Sequence, residues 1–295
     1  MSKDNCEKDT NCQSCESAQK CSQAEKEAHD AQRIAKRMGD IKHKFMVISG
    51  KGGVGKTSVS VNLASALAGQ GHTVGILDAD IHGPNIPKML GVDDRKPLAG
   101  EGNSILPIAV TDNLRVMSIA FFLNSNKDAV IWRGPMKHNL LKQFLGEVTW
   151  GELDYLIIDL PPGTGDEALS IAHLMKDVNA AVVVTTPQEV ALLDSRKSIS
   201  FCLEIKIPTI GVVENMSGLI CPHCKKTIDL FKTGGGEKIA REMKVPFLGR
   251  IPLDPEMVIC ADEGSAFVDN HPESEAAKAF AEVAKVWKQE LAAKG

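Results

Sequence analysis

The chain has 295 residues, 43% of them hydrophobic and 24% charged, with a formal net charge of −4. That length and apolar content support one large α/β core without requiring two, and the mildly negative balance gives no basic face for nucleic acid. No apolar run approaches the length of a membrane span, and Met1-Ser2-Lys3-Asp4-Asn5-Cys6-Glu7 has no signal-peptide character, so a soluble, cytoplasmic protein without a membrane partner is expected. In a reducing compartment its eight cysteines read as metal ligands or buried apolar side chains rather than disulfides.

In chain order, residues 1–21 hold Cys6, Cys12, Cys15 and Cys21 among polar residues, with no aliphatic side chain larger than alanine after Met1. Such a segment cannot fold around a hydrophobic core. Its C-x5-C-x2-C-x5-C spacing puts four thiolates in one chain, enough to hold a complete metal cluster that would itself order the segment. Residues 22–43 read as a linker helix that ends near Gly39. From 44 to 295 apolar runs alternate with amphipathic segments, the rhythm of a mostly parallel sheet with helices on both faces. Strands are expected at 45–48, 73–77, 114–118, 155–158, 180–185, 207–213 and 247–250. Most are too apolar to alternate, as befits strands covered on both sides. The stretch 273–294 has apolar residues at helical intervals and reads as a closing surface helix.

The first strand runs into Gly50-Lys51-Gly52-Gly53-Val54-Gly55-Lys56-Thr57, and a helical pattern opens at Ser58. This is a phosphate-binding loop, G-x-x-x-x-G-K-[ST], whose backbone N–H groups turn toward one anion. It points to a nucleoside triphosphate as the ligand, with Gly50, Gly52, Gly53, Val54, Gly55 and Ser58 around the phosphates. Lys56 should reach the β/γ-phosphates, and the Thr57 hydroxyl should ligate Mg²⁺. Carboxylates that serve such a site stand at the C-terminal ends of strands. Asp159, after Tyr155-Leu156-Ile157-Ile158, reads as the Walker B aspartate, and 160–166 as a loop that senses the γ-phosphate. Asp78 and Asp80 end the strand before them, Asp78 supporting the metal or the loop from behind.

Two further cysteines stand as Cys221-Pro222-His223-Cys224. Two thiolates cannot complete a tetrahedral sulfur site, and a twofold-related copy of the motif supplies the other two most economically. A Cys₄ zinc site uses the same ligands, and a redox pair uses the same spacing. His223 reads as a solvated side chain, and Cys202 and Cys260 as packing.

The loop with its extra Lys51 resembles the deviant Walker A form, K-G-G-x-G-K-[ST], of MinD, ParA and nitrogenase iron-protein ATPases. In that group the extra lysine reaches the nucleotide of the other subunit, which implies a homodimer. By the same resemblance Asp80 is the aspartate that polarises the attacking water, and Asn215, in Glu214-Asn215-Met216-Ser217, hydrogen-bonds adenine. Together with Asp78-Ala79-Asp80-Ile81-His82-Gly83-Pro84, Trp132-Arg133-Gly134-Pro135, the run from Thr185 to Asp194 and the Cys221/Cys224 pair, these motifs resemble the Mrp/ApbC family of P-loop ATPases. That likeness implies a homodimeric ATPase that carries a 4Fe-4S cluster between paired C-x-x-C motifs and delivers it to apoproteins. The N-terminal cysteines are similar to those of the Nbp subgroup, with a shorter spacing from Cys6 to Cys12. Two other functions share the fold: a nucleotide-gated electron donor similar to the nitrogenase iron protein, and a positioning ATPase of the MinD/ParA type.

Overall fold

The computed structural model describes residues 22–123, 134–221, 224 and 226–294. Among these, eight strands form one sheet in the order β10-β7-β6-β1-β5-β2-β4-β3. The strands are β1 (Ile41–Ile48), β2 (Val74–Asp78), β3 (Ile108–Ala109), β4 (Leu114–Ser118), β5 (Leu153–Asp159), β6 (Ala180–Thr185), β7 (Thr209–Glu214) and β10 (Phe247–Arg250). All pair in parallel except β3, which runs against β4. β2, β6 and β7 are buried along their whole length, which is why their sequences run apolar instead of alternating.

Helices cover both faces. α2 (Lys56–Gly69) and α10 (Glu275–Lys294) pack together on one face, beside the short α3 (Ile86–Met89), α8 (Glu256–Glu263) and α9 (Phe267–Asn270). On the other, α1 (Gln23–Gly39) packs on α4 (Gly134–Glu147), α4 on α5 (Asp166–Leu174), and α6 (Glu189–Glu204) on α7 (Gly235–Met243). This is the sidedness that right-handed crossovers produce. α10 is more than a surface element. Phe280, Val283, Ala284 and Trp287 are buried, and the Trp287 ring meets Phe45 of β1 edge-on at 5.4 Å.

α1 starts where the sequence supplies a capping box: the Glu25 N–H donates to the Ser22 hydroxyl, and the Ser22 N–H to the Glu25 carboxylate. Its inner face buries Ile34 and Met38. Arg33 pairs with Asp30 and with Glu147 of α4, and Lys142 of α4 reaches Asp30 at 2.8 Å. The two cross-helix pairs advance in the same direction along both helices, so α1 and α4 run parallel.

β1 begins four residues before the expected strand. Lys44 can lie inside because its ammonium donates to the Met38 and Ile41 carbonyls and pairs with Asp177 at 2.8 Å. Below the sheet, at the end remote from the phosphate loop, Asp154 joins neighbouring segments. It accepts from Lys42 at 2.6 Å and from the Thr73 N–H at 2.9 Å, and these bonds hold its carboxyl at about 2, below the ordinary 3.8. A carboxylate with a depressed folded-state pKa stabilises the fold fully above its unfolded value and loses that contribution as pH falls through the folded one. Acid unfolding of Asp154→Asn should therefore show less loss of stability between pH 3.8 and about 2 than the parent. Identical acid limbs would contradict this.

Candidate functional site

The central strands β1, β5 and β2 end at one level, with Val47 opposite Asp159 and Asp159 opposite Asp78. The chain direction reverses about β1, and the crevice above such a point is where open α/β sheets bind ligands. The phosphate loop leaves β1 there and enters α2 through Gly55, whose φ of +77° is left-handed. A Cβ on Gly55 would also stand 2.3 Å from the Asn215 amide nitrogen, and one on Gly50 would stand 2.3 Å from the Asp194 backbone. Both glycines are therefore demanded by close approach within the fold as well as by phosphate geometry.

Asp159 is fully buried and lies under the loop. Its carboxylate accepts from Lys56 Nζ at 2.6 Å, from the Thr57 hydroxyl at 2.9 Å and from the Ser60 hydroxyl. Beside it, burial and the nearby Asp159 push the Asp78 carboxyl well above the carboxylate range, opposed by a hydrogen bond from Ser118. Asp78 also accepts from the backbone N–H groups of Asp80 and Ile86, so it braces the loop that carries Asp80. The Asp80 carboxyl is raised by burial, against the pull of Lys56 and of the Gly83 N–H. Asp78 and Asp80 both feel the charges of Lys56 and Asp159. The Thr57 hydroxyl and the Asp159 carboxylate, 2.9 Å apart, are the oxygen groups that could hold Mg²⁺.

Lys51 offers its carbonyl to the Ser49 hydroxyl at 3.0 Å, and its ammonium makes no ion pair among the described residues. Asn215 is buried, and its amide donates to the Val54 carbonyl at 2.9 Å, which ties the end of β7 to the phosphate loop and leaves the side-chain oxygen as an acceptor. Beside it a cavity of about 390 Å³ is lined by Gly55, Thr57, Ser58, Asn215, Met216, Pro252, Leu253, Asp254, Met257 and Val258. Its size and mostly apolar walls suit a nucleoside. The Pro252–Asp254 turn and α8 escaped the sequence reading. The available signal was the Ile251-Pro252-Leu253-Asp254-Pro255 turn directly after a strand.

Cys221 and Cys224 stand in the segment between the two strands of an antiparallel ribbon. β8 (Leu219–Ile220) pairs with β9 (Thr227–Ile228), and the Cys221 N–H donates to the Lys226 carbonyl at 3.0 Å. Cys224 is exposed. Among the described residues no three His, Cys, Asp or Glu side chains converge as a metal-ligand group. Cys202 and Cys260 are buried, and burial pushes the Cys202 thiol up to about 12, consistent with packing. Cys6, Cys12, Cys15, Cys21, Trp132, Arg133, Pro222 and His223 lie outside the described residues.

Residues 40–287 match the family described as ParA: NUBPL iron-transfer P-loop NTPase. The chain belongs to that family. Among curated relatives of this NUBPL-type NTPase is the iron-sulfur cluster carrier protein of Methanocaldococcus jannaschii, 53% identical over 82% of this chain and 83% of the relative. Its counterpart in Methanococcus maripaludis is 51% identical over 82% and 83%. Among solved structures, the nucleotide-binding protein of Archaeoglobus fulgidus in complex with ADP is 38% identical, with a TM-score of 0.70 over 80% of this chain and 92% of that one. The cell division ATPase MinD of Pyrococcus furiosus is 27% identical, with a TM-score of 0.62 over 84% and 99%. The α/β class and deviant P-loop architecture expected from the sequence are thus those of the NTPase family itself. No helix among the described residues is long and apolar enough to cross a membrane.

Proposed function

We propose that this NTPase binds and hydrolyses Mg-ATP at Lys56, Thr57 and Asp159, and carries an iron–sulfur cluster as cargo between the Cys221/Cys224 pairs of two copies of the chain. The carrying observation is the ribbon that presents two thiols while no third ligand converges among the described residues. A four-thiolate 4Fe-4S site needs two further thiolates, and a twofold-related second copy supplies them most economically. The relatives named as iron-sulfur cluster carrier proteins support delivery to apoproteins as the outcome. In this reading Lys51, whose ammonium is unpaired among the described residues, contacts the partner copy's nucleotide. Asp80 positions the attacking water, and Asn215 with its cavity holds the adenine. Cys6, Cys12, Cys15 and Cys21 form a separate thiolate set.

Anaerobic reconstitution with iron and sulfide tests the reading. With Cys6, Cys12, Cys15 and Cys21 changed to serine, about four irons per pair of chains are expected, with the visible charge-transfer absorption that zinc lacks. Adding Cys221→Ala and Cys224→Ala should remove them all, and mixing the loaded form with an apo-ferredoxin should move the chromophore rather than bleach it. Iron retained by the double variant, or a cluster held by a monomer, would refute the shared site.

A further inference from the structure

Glu214, the last residue of β7, is fully buried, and the nucleotide and thiol chemistry described above leaves it unused. Its carboxylate accepts from the Ser217 hydroxyl, from the Gly234 N–H at 2.9 Å and from the Gly236 N–H, and lies 3.5 Å from Arg250 Nε. Ser217 opens the excursion that carries β8, Cys221, Cys224 and β9. Gly234 and Gly236 close it at the start of α7. One carboxylate therefore pins both feet of the ribbon. The fit is tight, since a Cβ on Gly236 would stand 2.8 Å from Glu214 Cβ.

The next residue, Asn215, is bonded to the phosphate loop through the Val54 carbonyl. A second strand of contacts runs alongside. The Ile251 N–H donates to the Glu214 carbonyl, the Ser217 N–H to the Ile251 carbonyl, and the Leu253 N–H to the Gly218 carbonyl. Leu253 bridges to Leu219 of β8 and also lines the nucleoside-sized cavity. The loop that meets phosphate and the ribbon that presents the thiols are thus joined through Glu214, at the end of β7, and the adjacent Asn215, with charge-assisted hydrogen bonds on the Glu214 side and an amide–carbonyl bond on the other.

We infer that Glu214 is the positioning residue through which occupation of the phosphate loop is transmitted to the Cys221/Cys224 ribbon. A shift of Val54 or Gly55 toward bound phosphate moves Asn215, with which both are in contact, and the Glu214 carboxylate converts that movement into displacement of both ribbon feet. The inference deepens the carrier reading and rests on it for its purpose, but its test needs no cluster.

Amide hydrogen exchange of the metal-free full chain, with and without Mg-ADP, reads the link directly. In the parent, nucleotide is expected to alter exchange both in the phosphate loop and across 217–236. Glu214→Gln keeps the volume but sets an amide N–H₂ against a backbone donor. It should retain the phosphate-loop response while the response of 217–236 falls about tenfold, the worth of one charge-assisted hydrogen bond. Ser217→Ala, which releases one foot only, should give an intermediate response and serves if Glu214→Gln does not fold. A merely structural Glu214 would lower the melting temperature yet leave the nucleotide response of the ribbon intact. That result, or a parent ribbon indifferent to nucleotide, overturns the inference. Loss of iron binding in the parent would instead overturn the carrier reading and leave this link standing.

Discussion

Lys56→Ala is expected to lower ATP hydrolysis by roughly two to three orders of magnitude, the usual cost of removing one fixed charge or donor from a developing anion. Its effect on stability is separable. Lys56 is paired at 2.6 Å with the fully buried Asp159, so its removal leaves that carboxylate with only the Thr57 and Ser60 hydroxyls. A buried ion pair broken on one side is destabilising, here by up to about 3 kcal/mol because those two donors remain. The double variant Lys56→Ala/Asp159→Asn removes both charges and should recover much of that stability while hydrolysis stays lost. Phosphate-release assays and thermal melts on the two single variants and the double one complete the cycle. Near-parental hydrolysis in Lys56→Ala would remove the catalytic assignment. Equal melting of the single and double variants would remove the ion-pair argument.

Trp287→Ala should have the largest effect on folding. The side chain is fully buried and meets Phe45 edge-on at 5.4 Å, and large-to-small changes of this kind cost about 3–5 kcal/mol. For a domain of this size that corresponds to a melting temperature lower by roughly 10 °C. Phe45 lies in β1, which ends at the phosphate loop, so the loss falls on the central strand of the site and not on a peripheral helix. A shift within about 2 °C would show that α10 is only loosely attached.

α10 also shows what the sequence could and could not disclose. The helical spacing of its apolar residues was legible, whereas the depth at which Trp287 sits depends on β1 and α2, far away in sequence. β6, whose run Ala-Ala-Val-Val-Val-Thr is buried throughout, was readable to its bounds because burial on both faces dictates its composition. β1 was read short, because Lys42-His43-Lys44 looks like surface until backbone carbonyls close around the Lys44 ammonium. β3, β8 and β9 are two residues each, too few to set a period. At the site, Lys56, Thr57 and Asp159 were legible, since a phosphate loop and a strand-end acid are local patterns. Glu214 was not, because its partners Gly234 and Gly236 lie 20 and 22 residues further on and glycine N–H groups carry no sequence signal of their own.

The parallel course of α1 and α4 fixes where the N-terminal chain meets the body. Ser22 stands eight residues before Asp30, and Gly134 eight before Lys142. With Asp30 and Lys142 in contact, both helix starts rise about 12 Å above that pair. Gly134 is beside Asp166, where the loop 160–166 that follows Asp159 enters α5. Ser22, where the described chain enters α1, therefore stands on the side where ATP would dock, rather than at the opposite pole of the sheet.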